Sequence, residues 1–243
     1  MNDQHCNFWQ KQFADFTTIV VANGEVPSSE LSLSILNDKK RRIICCDGAL
    51  QKLLSINIVP DVVVGDGDSM DAELLQIQTD SVSPCRDAIN RVSTKGHEIP
   101  YYQDRSEEYN DLQKALKYSI SKCYDNILLM GCAGLREDHF IANLSIMVMY
   151  SEHLHLSMLT EYGVFNVFRG AIMLASFLGM PVSVFPRSPQ SKLTFRGLKY
   201  PVNDRSFNWL WEGSLNEALE DSFVVEASDD EPVVVYRALG NEE

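Results

Sequence analysis

The chain is short of positive charge. Its 243 residues include 21 lysines and arginines against 34 aspartates and glutamates, a formal net charge of −13. A protein that tracks a nucleic-acid backbone needs a basic face, so that function is excluded. A single nucleotide is not, because metal ions and a few placed bases can hold one triphosphate. Long apolar runs are also missing. The longest, Ala171 to Phe185, is interrupted by Ser176, Gly179, Pro181 and Ser183, too short and too broken to span a membrane. Met1 to Gln12 is polar and lacks the continuous apolar core of a signal peptide. The six cysteines include no C-x-x-C pair, and Cys45 and Cys46 read as small core residues of a strand. A soluble protein of the reduced cytoplasm is the expectation. No Gly-Lys-Ser/Thr triplet and no G-x-G-x-x-G occurs, so the phosphate-loop and dinucleotide fingerprints are both absent. Ser69 and Ser214 have no adjacent histidine, which leaves an acyl-transfer triad unsupported.

What is present is an ordinary globular composition, 45% hydrophobic and 23% charged. Strand-like runs at Thr18–Ala22, Arg42–Cys46, Asp61–Val64 and Asn126–Met130 alternate with helical spacing at Ser29–Asn37, Gly48–Ser55, Asp71–Gln76 and Asn110–Lys122. Such alternation predicts a parallel sheet covered by helices. The segment Val82 to Tyr101 is broken by Pro84 and Gly96 and yields no assignment. Beyond about Glu152 the runs become short, β-branched and aromatic, separated by turns such as Tyr162-Gly163 and Arg169-Gly170. That texture predicts an antiparallel sandwich. The expected organisation is an α/β domain over residues 1–153 and a β-sandwich over 154–243.

Acidic residues close several of these runs. Cys46-Asp47-Gly48-Ala49 and Gly65-Asp66-Gly67-Asp68-Ser69 both follow buried strand patterns. Ligands of an open α/β sheet sit outside the carboxyl ends of its strands. Asp47, Asp66 and Asp68 therefore belong in one crevice, where mutually repelling carboxylates call for a hard divalent cation. A calcium-binding helix–loop–helix is excluded, because counting from Asp66 position six is Asp71 and position twelve is Ile77. Taken singly, each motif has an ordinary explanation: a solvated turn, an N-cap aspartate, or an intrahelical pair for Asp111 and Lys114. More specific is Gly131-Cys132-Ala133-Gly134-Leu135-Arg136-Glu137-Asp138-His139, where a strand runs into a glycine-containing loop that opens a helix. Free amides at such a helix start attract phosphate, and Arg136 adds a planar donor fork. His153 and His155 fall on one face of a strand without a third ligand, and read as core or surface residues.

In order and spacing these motifs resemble the thiamin pyrophosphokinase family over nearly the whole chain. Ala22-Asn23-Gly24-Glu25-Val26-Pro27 is similar to its opening strand and turn, and Asp47-Gly48-Ala49 to its Asp-Gly-(Gly/Ala) segment. Gly65 to Ser69 resembles its Gly-Asp-x-Asp-Ser signature, and Asn110 to Leu116 its Thr-Asp-x-x-Lys-Ala-Leu helix. Gly134 to His139 with Ala142-Asn143-Leu144, then Gly197-Leu198-Lys199-Tyr200 and Gly213-Ser214-Leu215-Asn216-Glu217, resemble the later segments. Glu108, Asn110, Leu135 and Tyr200 depart from the family pattern. The resemblance implies transfer of a pyrophosphoryl group from ATP to the hydroxyl of thiamin, leaving AMP, by a Mg²⁺-dependent homodimer. It implies catalytic roles for Asp47, Asp66, Asp68, Asp111 and Asp138, with Mg²⁺ on Asp66, Asp68, Glu108, Asp111 and Asp138. Arg136, Lys114, Asp47, Gly48, His139 and Asn143 would meet ATP, and Ser214, Asn216, Tyr200 and Trp211 would meet thiamin. Two other readings share the acidic cluster: a pyrophosphokinase for another small alcohol, and a non-catalytic sensor of thiamin or nucleotide.

Overall fold

The computed structural model describes residues 3–26, 28–68, 89–94 and 97–240. The chain opens with helix α1 (Asp3–Gln12) and continues through β1 (Thr18–Val21), α2 (Glu30–Leu36), β2 (Arg42–Cys46), α3 (Leu50–Ser55) and β3 (Val62–Gly65). It then forms β4 (Ile89–Thr94), β5 (His97–Gln103), α4 (Asp111–Ser121), β6 (Asn126–Met130) and α5 (Glu137–Tyr150). The rest is all strand apart from a short 3₁₀ turn: β7 (His155–Leu159), β8 (Gly163–Phe168), β9 (Ala171–Ala175), β10 (Pro181–Pro186), β11 (Lys192–Arg196), β12 (Arg205–Ser206), β13 (Asn216–Glu217), β14 (Ser222–Ala227) and β15 (Val233–Ala238). Two compact units result. One comprises Asp15–Ile146 with His153–His155; the other comprises Met1–Ala14, Met147–Glu152 and Leu156–Glu243.

In the first unit the strands run β6-β1-β2-β3-β5-β4, parallel except for β4, which pairs antiparallel with β5. Thr18 to Val21 and Val62 to Gly65 are buried throughout, as are Ile43 to Cys46 and Ile127 to Met130. A parallel strand covered on both faces accepts only such continuous apolar runs. The register places Val21 beside both Cys45 and Met130, Cys46 beside Val64, and Gly65 beside Gln103. The segments following β1, β2, β3, β5 and β6 thus leave one edge of the sheet. Helix α4 starts at Asp111 because Asn110 and Gln113 cap each other: Asn110 Oδ1 accepts from Gln113 N at 2.9 Å, and Gln113 Oε1 from Asn110 N at 3.3 Å. The segment without an assignment supplies β4 and the start of β5. The expected helix Asp71–Gln76, together with Ser69, lies outside the described residues.

The second unit has two antiparallel sheets, β13-β10-β15-β8-β7 and β12-β11-β14-β9, the sandwich architecture expected of this half. Val182 and Val184 alternate inward on β10, as do Phe223 and Val225 on β14. Helix α1, for which the sequence offered no periodic signal, belongs here. Its Trp9 is fully buried and donates from Nε1 to Leu239 O at 3.2 Å, with the Arg237 guanidinium 4.9 Å from the ring centre. No described helix is long and apolar enough to cross a membrane.

Candidate active site

The ends of β2 and β3 bring three carboxylates together. Asp47 directly follows β2, is buried, and accepts from Gly48 N at 2.6 Å and from Gly67 N at 3.0 Å. Asp66 and Asp68 flank Gly67, and Asp68 N donates to Asp66 Oδ1 at 3.2 Å. One oxygen from each of Asp47, Asp66 and Asp68 lies within 4.8 Å of the others. Two glycines make this turn possible. A side chain at Gly65 would fall on the Asp47 carboxylate, and Gly67 takes φ +92°, which L side chains rarely adopt.

Helix α4 adds a fourth carboxylate and a cation. Lys114, 2% exposed, donates from Nζ to Asp66 Oδ2 at 2.5 Å and to Asp111 Oδ1 at 3.2 Å. The lysine holds the Asp66 carboxyl below its usual range. Burial alone would depress the Lys114 ammonium, but bonds to Asp66 and Asp111 outweigh it and hold the group above its ordinary value. Burial raises Asp111, with Lys114 opposing. Burial also pushes Asp47 up to about 6, reinforced by the charge of Asp111 and partly offset by the Gly67 and Gly48 amides. Burial and mutual repulsion thus raise two of the carboxylates while Lys114 lowers a third.

Beside it lies a cavity of about 530 Å³ lined by Asn23, Gly24, Asp111, Ala133, Arg136, His139 and Asn143, among others. Its walls are the segments following β1 and β6, stitched together by Gly24 N to Gly131 O at 2.6 Å and Glu25 N to Ala133 O at 2.7 Å. Asn143 on α5 donates to Cys132 O at 2.9 Å and pins the loop that carries Arg136. Lys52, which no sequence motif singles out, donates from Nζ to Asn23 O, Asn23 Oδ1 and Gly24 O at 2.7, 2.8 and 2.9 Å. The exposed Arg136 forks onto Asp138, 3.1 Å from Nε and 2.6 Å from Nη2. Asp138 and the exposed Glu108 lie outside the group formed by Asp47, Asp66 and Asp68.

In the second unit Asn216 is buried, its Oδ1 accepting from Tyr200 N at 3.0 Å and its Nδ2 donating to Tyr200 O at 2.9 Å. Asn216 thus holds the Lys199–Tyr200 turn in place. Ser214 Oγ donates to Trp211 O at 2.7 Å. Tyr200, Trp209 and Trp211 are exposed by 59, 69 and 72%.

Residues 33–158 match the family model described as thiamin pyrophosphokinase, catalytic domain. The chain belongs to the thiamin pyrophosphokinase family. Residues 163–236 match the companion model, thiamin pyrophosphokinase, substrate-binding domain. Among solved structures, the fold resembles thiamine pyrophosphokinase from Bacillus subtilis (TM-score 0.71, 20% identity, 92% of this chain and 99% of that one). It also resembles the enzymes from Candida albicans (0.68, 16%, 93% and 91%) and yeast (0.66, 14%, 93% and 87%). No significant sequence match to a curated protein was found. As a thiamin pyrophosphokinase the chain is a diphosphotransferase: the pyrophosphoryl group of ATP passes to the hydroxyl of thiamin, giving thiamin diphosphate and AMP.

Proposed function

We propose that Asp66 and Asp68, with Asp47 behind them, hold Mg²⁺ for this transfer, and that Asp111 and Lys114 complete the charge balance around it. The convergence of three carboxylates within 4.8 Å beside the cavity carries the reading. All are hard oxygen donors within reach of one another, so the residues fit a hard divalent ion. These residues would hold Mg²⁺, which would supply neutralisation of the charge building on the transferred phosphates.

In this reading the amides and side chains of the segments after β1 and β6 hold ATP, with Gly48, His139 and Asn143 near the phosphates and Arg136 reaching them from the exposed loop. Arg136 gives up its bond to Asp138 to do so, leaving Asp138 to the metal–phosphate assembly together with Glu108. The hydroxyl oxygen of thiamin bonds to the β-phosphorus, the bond from that phosphorus to the oxygen bridging it to the α-phosphate breaks, AMP leaves with the bridging oxygen, and the hydroxyl proton passes to solvent. Lys114 holds Asp66 ionised throughout. Tyr200 and Trp211 offer π-faces to the cationic thiazolium, with Ser214 beside them and Asn216 fixing the Tyr200 turn. The α/β unit would then serve ATP and the β-sandwich unit thiamin, in a cytoplasmic homodimer.

The deciding experiment is ³¹P NMR of the protein with ATP and Mg²⁺, with and without thiamin. AMP and thiamin diphosphate appear together only when thiamin is present. ADP in place of AMP overturns the pyrophosphoryl transfer. A monomer in analytical ultracentrifugation at assay concentration overturns the dimer.

A further inference from the structure

The turn that presents Asp66 and Asp68 leaves the sheet at Gly65, the last residue of β3, and beyond it has no regular structure of its own. Its glycines favour many conformations in the unfolded chain. Its two leading carbonyls are nevertheless both taken, and by neighbours on one strand. Tyr101, fully buried on β5, donates from its hydroxyl to Gly65 O at 3.1 Å, a second bond on a carbonyl that also accepts from Asp104 N at 2.8 Å. Gln103, two residues on and therefore on the same side of β5, donates from Nε2 to Asp66 O at 3.0 Å. The fit leaves little slack, since a Cβ at Gly67 would stand 3.0 Å from the Tyr101 hydroxyl. From the opposite side, Asp47 grips the Gly67 amide.

We propose that Tyr101 and Gln103 are positioning residues that set the Asp66–Gly67–Asp68 turn in the geometry that binds the metal ion. They act on the carbonyls of Gly65 and Asp66, so the carboxylates stay available while the backbone beneath them is fixed. The inference rests on the reading of Asp66 and Asp68 as metal ligands. A first-coordination carboxylate out of place by a fraction of an ångström loses affinity, so losing one buried hydrogen bond beneath it would weaken metal binding about three- to tenfold.

The test is direct binding of Mn²⁺ to the purified protein without nucleotide, read from the EPR signal of free Mn²⁺, for wild type, Tyr101→Phe, Gln103→Leu and Asp68→Asn. Heat denaturation runs in parallel. The expected result is Mn²⁺ affinity three- to tenfold weaker in Tyr101→Phe and Gln103→Leu, measured well below the melting transition, and lost in Asp68→Asn. Lower melting temperatures with wild-type Mn²⁺ affinity in both positioning variants would make the two residues purely structural and overturn the proposal. Wild-type affinity in Asp68→Asn would instead overturn the metal reading itself. Should Tyr101→Phe not fold, Gln103→Leu alone decides, because its side chain lies at the end of the strand rather than in the core.

Discussion

Lys114 and Asp66 form an ion pair 2.5 Å long across 48 residues of sequence, with the lysine buried at 2% exposure and the aspartate about one-third exposed. The lysine is also bonded to Asp111 at 3.2 Å, so one cation serves two carboxylates of the candidate metal site. Without it the cluster would be a set of uncompensated negative charges. Lys114→Met should therefore destabilise the metal-free protein by about 2 kcal/mol at pH 7, a value reduced from that of a fully buried pair because Asp66 faces solvent. Asp66 is held below its ordinary pKa, so the pair stabilises the fold above the unfolded carboxylate range and stops doing so as pH falls. Melting curves of wild type and Lys114→Met at pH 7 and pH 3 check this, and an equal difference at both values would refute it.

Asp47 behaves in the opposite sense. Its carboxyl titrates near 6 in the folded protein against an ordinary 3.8, so between those values the folded state holds the extra proton. The contribution of Asp47 to stability therefore falls as pH rises from about 4 to about 6. In EDTA, wild type should lose stability relative to Asp47→Asn across that window. Parallel pH profiles for the two proteins would show that Asp47 is not perturbed.

Arg136→Ala should leave the fold almost untouched, within about 0.5 kcal/mol, because the Arg136–Asp138 pair is exposed on both sides. Its effect belongs to catalysis: kcat/KM for ATP should drop by about 10²-fold if the guanidinium moves from Asp138 to the phosphates in the transition state. Steady-state kinetics with thiamin saturating settle the matter, and an unchanged kcat/KM removes Arg136 from the site.

Trp211 is 72% exposed. Stacking on a cationic ring contributes about 1–2 kcal/mol. Trp211→Ala should accordingly raise KM for thiamin about tenfold and leave KM for ATP where it was. A shift in the ATP value alone would relocate Trp211 to the nucleotide.

Much of the fold was legible along the chain because its signals are local. The apolar runs Val20-Val21, Ile43-Ile44 and Val62-Val63-Val64 are too uniformly buried to be anything but parallel strands covered on both faces. Asp47, Asp66 and Asp68 share a crevice because all three stand at strand ends, and a parallel sheet delivers those ends to one edge. The helix of Asn110 to Lys122 announced itself by its apolar stripe. The hairpin of β4 and β5 did not, because the glycine and proline around it obscure any period, and α1 did not, because its anchors Trp9, Phe8 and His5 meet Leu239, Phe177 and Gly240 far along the chain.

Sequence by itself determined the strand and helix alternation outside α1 and the β4–β5 hairpin, the change from α/β to antiparallel texture, and the residue types needed at a metal–phosphate site, since propensity and hydrophobic period act over a few residues. Tertiary structure alone decided which polar groups remain available. It spends Lys114 on Asp66 and Asp111, turns Asp47 toward Gly67, and commits the Asn216 amide to the backbone of Tyr200. It also brings Tyr101 and Gln103 beneath the acidic turn. Hydrogen bonds of this kind join residues tens of positions apart, and their partners are chosen by sheet register and by the cost of leaving a buried polar group unpaired.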